Sequence, residues 1–268
     1  MDWSEIFSKR LDIGLDVFLT GEIEASVRTY TQANGGHRSD GLSMYSINAY
    51  HFRHPAHGDV MIDAGFSDDF FRRPPYGNLG PVIKLFQKIN KVKYMQEENQ
   101  GIEQQLKRRG ISPDHIFLTH RHPDHTSGIP YLDDKAEVHY GKRENTFFYS
   151  LLTRAHLKHK KVTPLDLDEG VEAPPFDKVL DVFGDRSLFA VSTRGHTVDH
   201  ISYLLNGKKP FLMVGDAELT KAVSRTGTYV NSDYGRKGES DARDSADRIR
   251  EFMVRYPQAV ACYSHGYG

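Results

Sequence analysis

The sequence LTHRHPDHTSG at residues 118–128 places three histidines and an aspartate within positions 120–125, directly after a short apolar run. Imidazole and carboxylate groups suit zinc, and also manganese or iron. Because His120 and His122 are two residues apart on an extended segment, their side chains can point the same way while Arg121 points elsewhere. A polar surface turn is the simpler interpretation. The rest of the chain has to distinguish that turn from half of a metal site.

The composition is that of an ordinary globular protein with a full core. The chain has 268 residues, of which 38% are hydrophobic, and its formal net charge is −1. This charge does not favour binding to long nucleic acids, and we predict a small-molecule substrate instead. Cys262 is the only cysteine, so no internal disulfide is possible. Because we find neither a signal peptide nor an apolar run of membrane-spanning length, we predict a cytoplasmic protein with no membrane partner.

Hydrophobic patterning predicts a layered mixed α/β (α+β) fold in a single domain, residues 1–268. The early segments DVFLTGEI, SMYSINAYHFRH and GDVMIDAG fit a meander of antiparallel strands. Further along, strands alternate with helices. One predicted helix ends at Gly110, another covers 143–161, and a third covers 239–256. A short helical stripe is also expected from Val82, Leu85, Phe86 and Ile89.

Three further metal-capable residues each follow a strand-like run. His196 follows SLFAVSTRG, Asp216 follows PFLMVG, and His265 follows AVACYS. Functional side chains are commonly held on loops at strand ends, so these residues can meet the histidine cluster at one edge of the fold. Five histidines and two aspartates are too many donors for one four-coordinate ion. They suit two ions that share a bridging carboxylate.

These motifs together resemble the metallo-β-lactamase superfamily. The run His120 to His125 matches the H-x-H-x-D-H signature, and GHTVDH (195–200), GDAE (215–218) and SHG (264–266) are similar to the later motifs of that family. The order and spacing are closest to the branch of glyoxalase II and the N-acyl homoserine lactonases. The likeness runs from about Ser43 to the C-terminus. It implies a four-layer αβ/βα sandwich with metals at one edge.

The resemblance also implies a role for each candidate residue. Two divalent metal ions are expected, with zinc as the default and manganese or iron as alternatives. Asp63, in MIDAG, and His200 are expected to lie behind the ligands and orient them. The expected ligands are His120, His122 and His196 for the first ion, Asp124, His125 and His265 for the second, and Asp216 as the bridge.

The chemistry implied by such a centre is hydrolysis. Zinc lowers the pKa of bound water to about 7, so a metal-bound hydroxide can attack the carbonyl of a small ester, lactone or thioester. Asp124 or Asp216 would pass a proton to the leaving group, and the sequence does not choose between them. The alternatives are a phosphodiesterase or nuclease on the same scaffold, or a non-catalytic binding protein.

Two positions help to distinguish between branches of this superfamily. Lactam-cleaving relatives carry a cysteine where this chain has Asp216, which argues against a β-lactamase. Quorum-quenching lactonases carry a tyrosine three residues after the bridging aspartate, where this chain has Leu219. The tyrosines considered as spatial replacements are Tyr131, Tyr140, Tyr149 and Tyr234.

Overall fold

The structure is a computed structural model. It describes residues 1–32, 41–69, 85, 88–144, 146, 153–221, 225 and 228–266. Two large β-sheets and a two-stranded ribbon organise these residues.

The first sheet has seven strands and contains the HIF run that precedes the histidine cluster. Its order from edge to edge is β5-β1-β3-β4-β6-β7-β8. The strands from β5 to β4 are antiparallel and those from β4 to β8 are parallel, and the antiparallel pairing of β1, β3 and β4 is the one that the sequence predicts. The strands are β1 (Asp16–Ser26), β3 (Leu42–His54), β4 (Gly58–Ile62), β5 (Lys93–Met95), β6 (His115–Phe117), β7 (Glu137–His139) and β8 (Lys161–Val162).

The second sheet has six strands in the order β15-β13-β12-β11-β10-β9. Only the β13–β15 pair is parallel. The strands are β9 (Val171–Ala173), β10 (Phe176–Asp181), β11 (Leu188–Ser192), β12 (Ile201–Asn206), β13 (Pro210–Gly215) and β15 (Val260–Tyr263). The ribbon pairs β2 (Thr31–Gln32) with β14 (Tyr229–Val230).

The helices cover the outer faces of the two sheets, which gives four layers. Residues of both sheets, among them Tyr50, Phe117 and Tyr203, share one core between the sheets. Trp3 and Phe252, from two different helices, pack on the outer face of the second sheet. The helices are α1 (Trp3–Ser8), α2 (Val27–Tyr30), α3 (Ile102–Arg109), α4 (Pro123–Thr126) and α5 (Gly235–Arg255), with short 3-10 turns at Ile129–Tyr131, Lys142–Glu144 and Leu167–Glu169.

This arrangement confirms the predicted αβ/βα sandwich and brings five loops to one edge. Strands β4 and β6 are parallel, so the residues that follow them lie side by side. Strands β11, β13 and β15 run in one common direction because β12 is antiparallel to both β11 and β13. Their carboxyl ends meet the loops of the first sheet across the core.

Several boundaries differ from the sequence predictions. The predicted 143–161 helix is wrong at both ends, because the 3-10 turn Lys142–Glu144 opens this region and Lys161 belongs to β8. Only residues 153–157 are helical within its described part, and Phe147, Phe148, Leu151 and Leu152 lie outside the described residues. The last helix begins at Gly235, four residues earlier than predicted.

Two other elements bear on the sequence predictions. Leu85 and Ile89 of the predicted stripe are 60% and 69% exposed, while Val82 and Phe86 lie outside the described residues. Helix α1 was not predicted, yet its Trp3 is fully buried. Within the described residues, no helix is both long enough and apolar enough to cross a membrane.

Candidate metal centre

All seven predicted donor residues come together at the edge where the five loops meet. They form two groups of side chains, and the candidate ligand atoms within each group lie within 4.8 Å of one another. The first group is His120, His122, His196 and Asp216, and the second is Asp124, His125 and His265.

Asp216 lies between the two groups and contacts histidines of both, and His265 Nε2 is close to both of its oxygens, with Oδ2 at 3.2 Å. Its Oδ2 is 3.5 Å from His196 Nε2 and 3.9 Å from His120 Nε2. Its Oδ1 is 3.3 Å from His125 Nε2 and 3.1 Å from His265 Nε2. A carboxylate in this position has the geometry of a bridge between two sites.

Two buried imidazole nitrogens of the cluster indicate that these residues can hold metal ions. The Nε2 atoms of His120 and His125 are buried and have no hydrogen-bond partner within the described part of the chain. A buried polar atom without a partner is costly, and a metal ion is what an imidazole lone pair in such a setting accommodates. The donor set of imidazoles and carboxylates is also that of zinc, manganese and iron sites. The residues present therefore fit divalent cations.

The second nitrogen of several histidines is anchored by backbone. His196 Nδ1 lies 2.9 Å from the Asn231 carbonyl oxygen, and His265 Nδ1 lies 2.9 Å from that of Ser46. Because a carbonyl only accepts, both Nδ1 atoms carry a hydrogen. The Nε2 lone pairs of these two rings are therefore directed into the cluster.

In metal-free protein, the carboxylates of the cluster favour protonation of some of the neighbouring imidazoles. Burial opposes protonation of His122, but Asp233, with Asp124 and Asp216, outweighs it and raises the pKa of His122 to about 9. The pKa of His265 is also raised, because Asp216 outweighs the effect of burial. Burial would raise the pKa of Asp216, yet the neighbouring imidazoles hold it well below its usual range. Protons and metal ions therefore compete for the same nitrogens.

Asp63 and His200, the two residues predicted to orient the ligands, each contact a member of the cluster. Asp63 is fully buried at the end of β4, and its Oδ2 is 2.8 Å from His125 Nδ1. His200 Nε2 accepts the Asp216 backbone N–H at 3.0 Å, and its Nδ1 lies 2.9 Å from Thr193 Oγ1. Each residue thus fixes the orientation of one member of the cluster.

Arg121 points away from the cluster, as its place between two histidines predicts. Its Nη2 donates to Thr153 Oγ1 at 2.7 Å, and its guanidinium lies 4.7 Å from the Tyr140 ring centroid. Glu144, fully buried, accepts the Arg121 backbone N–H at 3.3 Å and the Asp199 backbone N–H at 3.0 Å. Glu144 therefore ties the loop after β6 to the loop after β11.

Sequence reasoning missed Glu144 and the segment Asn231–Asp233. Asp233 Oδ2 lies 2.7 Å from His122 Nε2. Neither residue stands in a recognisable motif, since Glu144 follows a basic pair and Asp233 lies in the polar run VNSDYG. Their contacts depend on chain segments brought together only by folding, so the sequence alone held no signal for them.

Three of the four tyrosines that could replace the lactonase tyrosine absent at Leu219 lie within the described residues. Tyr140 is buried under Arg121, Tyr234 donates its hydroxyl to Asp241 at 2.9 Å, and Tyr131 is 37% exposed. Tyr149 lies outside the described residues. Leu219 itself is buried in a hydrophobic cluster. Tyr30, which the sequence analysis did not consider, has its ring centroid 6.4 Å from that of His265.

Comparison with known families agrees with this geometry. Residues 42–265 match the metallo-beta-lactamase superfamily. The chain belongs to this superfamily. Together with this family membership, its His/Asp clusters support the binding of divalent metal.

Curated relatives point to the same branch as the motifs. N-acyl homoserine lactonase AttM of Agrobacterium fabrum is 26% identical over 222 residues, covering 78% of this chain and 78% of AttM. A hydroxyacylglutathione hydrolase of Hamiltonella defensa is 26% identical over 172 residues, covering 63% of this chain and 55% of that protein. Lactamase-like protein notP of an Aspergillus species is 29% identical over 136 residues, covering 50% of this chain but only 36% of notP. The chain thus spans little of notP and just over half of the Hamiltonella protein.

Solved structures share the fold over nearly the whole chain. An N-acyl homoserine lactone hydrolase, solved with the product N-hexanoyl-L-homoserine at its catalytic metal centre, aligns with a TM-score of 0.72 and 17% identity, covering 96% of this chain and 94% of its own. AidC, a dizinc quorum-quenching lactonase, aligns with a TM-score of 0.58 and 16% identity, covering 96% and 89%. At these identities the likeness establishes the fold.

Proposed function

We propose that the protein is a dinuclear metal-dependent hydrolase that opens a small ester, lactone or thioester. The observation that carries this proposal is the position of Asp216, whose carboxylate contacts histidines of both groups of donors. A carboxylate shared by two adjacent groups of imidazoles is the arrangement that a two-ion centre requires. The seven donors are those expected from the motifs, His120, His122, Asp124, His125, His196, Asp216 and His265.

The metal ions and the protein chain would contribute different parts of the hydrolytic chemistry. When bound, two divalent cations, zinc by default and manganese or iron as alternatives, supply an activated water nucleophile and polarise a carbonyl oxygen at neutral pH. The chain supplies five imidazoles and the carboxylates of Asp124 and Asp216. Because the imidazoles are neutral when they act as ligands, this donor set leaves the centre cationic and able to stabilise an oxyanion.

The carboxylates differ in their access to a substrate. The Asp124 side chain is 16% exposed, whereas that of Asp216 is 3% exposed and lies against His125 and His265. We assign the proton transfer to Asp124, because its carboxylate is the more exposed of the two. Asp124 takes the proton from the attacking water and passes it to the leaving oxygen or sulfur.

The relatives support a carbonyl substrate rather than a phosphodiester. AttM is named an N-acyl homoserine lactonase, and a second relative is named a hydroxyacylglutathione hydrolase. Both names describe hydrolysis at a carbonyl carbon, of a lactone and of a thioester. The near-neutral charge of the chain, −1, adds no preference for a polyanionic substrate.

The proposal is tested by metal analysis and by parallel substrates. We expect about two ions per chain and turnover of a lactone or thioester, with much slower turnover of bis-p-nitrophenyl phosphate. His122→Ala and Asp216→Ala should abolish hydrolysis, while His159→Ala, which removes an exposed histidine outside the cluster, should not. A purified chain that takes up no divalent metal, or full activity in the two cluster variants, would refute the proposal. Faster turnover of the phosphodiester would assign the protein to the phosphodiesterases instead.

A further inference from the structure

The segment Asn231–Asp233 contacts two histidines of the first donor group at once. Asp233 Oδ2 lies 2.7 Å from His122 Nε2, and the Asn231 carbonyl oxygen lies 2.9 Å from His196 Nδ1. The Asp233 backbone N–H also donates to the His196 carbonyl oxygen at 3.0 Å. Two residues of one loop, Asn231 and Asp233, therefore hold both histidines.

These contacts select which nitrogen of each ring faces the cluster. A carbonyl and a carboxylate are acceptors, so His196 carries a hydrogen on Nδ1 and His122 carries one on Nε2. In a neutral imidazole the opposite nitrogen then holds the lone pair. These opposite nitrogens, His122 Nδ1 and His196 Nε2, are 3.1 Å apart. This separation is that of a hydrogen bond, so in metal-free protein a proton lies between the two nitrogens, and a metal ion bound there would displace it.

The segment is itself anchored away from the cluster. The Asn231 side chain donates to the Thr29 carbonyl oxygen at 2.8 Å, and its backbone N–H donates to the Tyr30 carbonyl oxygen at 2.9 Å. The preceding residues, Tyr229 and Val230, pair with β2 in the two-stranded ribbon. The loop is thus fixed before any ion binds, so the two rings do not have to be ordered at that moment.

We propose that Asn231–Asp233 is a positioning element, in which Asp233 makes Nδ1 of His122 the metal-binding atom and sets the affinity of the first donor group. The inference rests on the proposed function, since the ion concerned is one of the two proposed there. Removal of a carboxylate that orients a metal-bound histidine typically lowers metal affinity by about 10–100-fold. We expect that range for Asp233→Ala. Asp233→Asn retains an amide oxygen that accepts from Nε2, so its loss is smaller.

The test is a zinc titration of metal-free protein against a chromophoric chelator. Asp233→Ala should weaken one of two binding steps by about 10–100-fold and leave the other unchanged. The Asp233 side chain is 35% exposed, so its replacement leaves no buried cavity. The matched control is Asp241→Asn, because the Asp241 carboxylate accepts the Tyr234 hydroxyl rather than a cluster histidine. This control should bind zinc as the parent protein does.

A second measurement distinguishes an effect on the orientation of the His122 ring from an effect on the stability of the protein. Nitrogen-15 NMR of the zinc-loaded, histidine-labelled protein should show His122 with zinc on Nδ1 and a hydrogen on Nε2, and His196 with the reverse assignment. Zinc on Nε2 of His122 would overturn the inference. Two unchanged binding steps in Asp233→Ala would overturn it as well, while the proposed function stands. Failure of the parent protein to bind zinc would instead overturn the proposed function and this inference with it.

Discussion

Asp63 Oδ2 lies 2.8 Å from Nδ1 of His125, a residue 62 positions further along the chain. The same carboxylate accepts the backbone N–H of Thr119 at 2.8 Å and its hydroxyl at 2.9 Å. The backbone of Asp63 is in the left-handed region, with φ 58°, which turns the side chain back under the loop after β6. One carboxylate thereby joins two parallel strands and orients a histidine of the second donor group.

Asp63→Asn should therefore weaken binding at the second donor group. The loss of negative charge beside His125 lowers the basicity of its ring, and we expect metal affinity to fall by about 10–100-fold. Chelator competition with metal-free protein measures this change. Asp177→Asn is the control, because its side chain is 66% exposed and pairs with Arg248 on the outer face. Unchanged affinity in Asp63→Asn would show that Asp63 only supports the fold.

Metal binding should release protons at pH 7. The pKa of His122 is raised to about 9 chiefly by Asp233 against the opposing effect of burial, and those of His125 and His265 are also raised. In metal-free protein these raised pKa values favour protonation of the three rings, and each ligating nitrogen must lose its proton before it binds metal. Apparent affinity should increase as the pH rises toward about 9 and fall as it drops.

Calorimetry in two buffers of different ionisation enthalpy counts these protons. Asp233→Asn should release fewer protons at pH 7 than the parent protein, because the charge that contributes most to raising the pKa of His122 is gone. Metal binding without proton release at pH 7 would contradict the protonated state of the metal-free cluster.

Glu144→Ala should destabilise the protein and misalign the two loops it joins. It would leave the backbone N–H groups of Arg121 and Asp199 without their acceptor in a buried region. Each such loss costs about 1–3 kcal/mol, so the free energy of unfolding should fall by about 3 kcal/mol. Urea unfolding measures the change, with Glu169→Ala at an exposed position as control. Equal stability of the two variants would exclude the joining role of Glu144.

Tyr30→Phe should lower kcat/KM without changing metal content. Burial raises the pKa of Tyr30 well above its usual value, with further increases from Tyr94, Asp124 and Asp216, so the phenol stays protonated. Because its ring centroid lies 6.4 Å from that of His265, we expect its hydroxyl to donate a hydrogen bond to a substrate oxygen. We expect about a tenfold loss, equivalent to about 1.4 kcal/mol. Tyr256→Phe, in the core beside α1, is the control. A parent-like kcat/KM in Tyr30→Phe would exclude this contact.

The strands and the donor residues could be read from the sequence because their signals are local. The apolar runs that form β4, β6, β11, β13 and β15 each end one to four residues before a metal-capable residue. Such a run specifies a strand through its own residues, and the residue that follows must lie at the strand end. The helix predicted over 143–161 failed because its polar and aromatic pattern did not reveal the 3-10 turn or the edge strand that replaced its ends.

The sequence by itself determined the family and the sandwich and predicted the seven candidate donors, because several motifs in a fixed order carry that information. Only the tertiary structure decided which groups orient the donors. Asp233 reaches a histidine 111 positions away, and Glu144 bonds the Asp199 backbone 55 positions away. A single hydrogen bond between distant loops leaves no periodic or local trace in a sequence, because its geometry exists only after both sheets have packed.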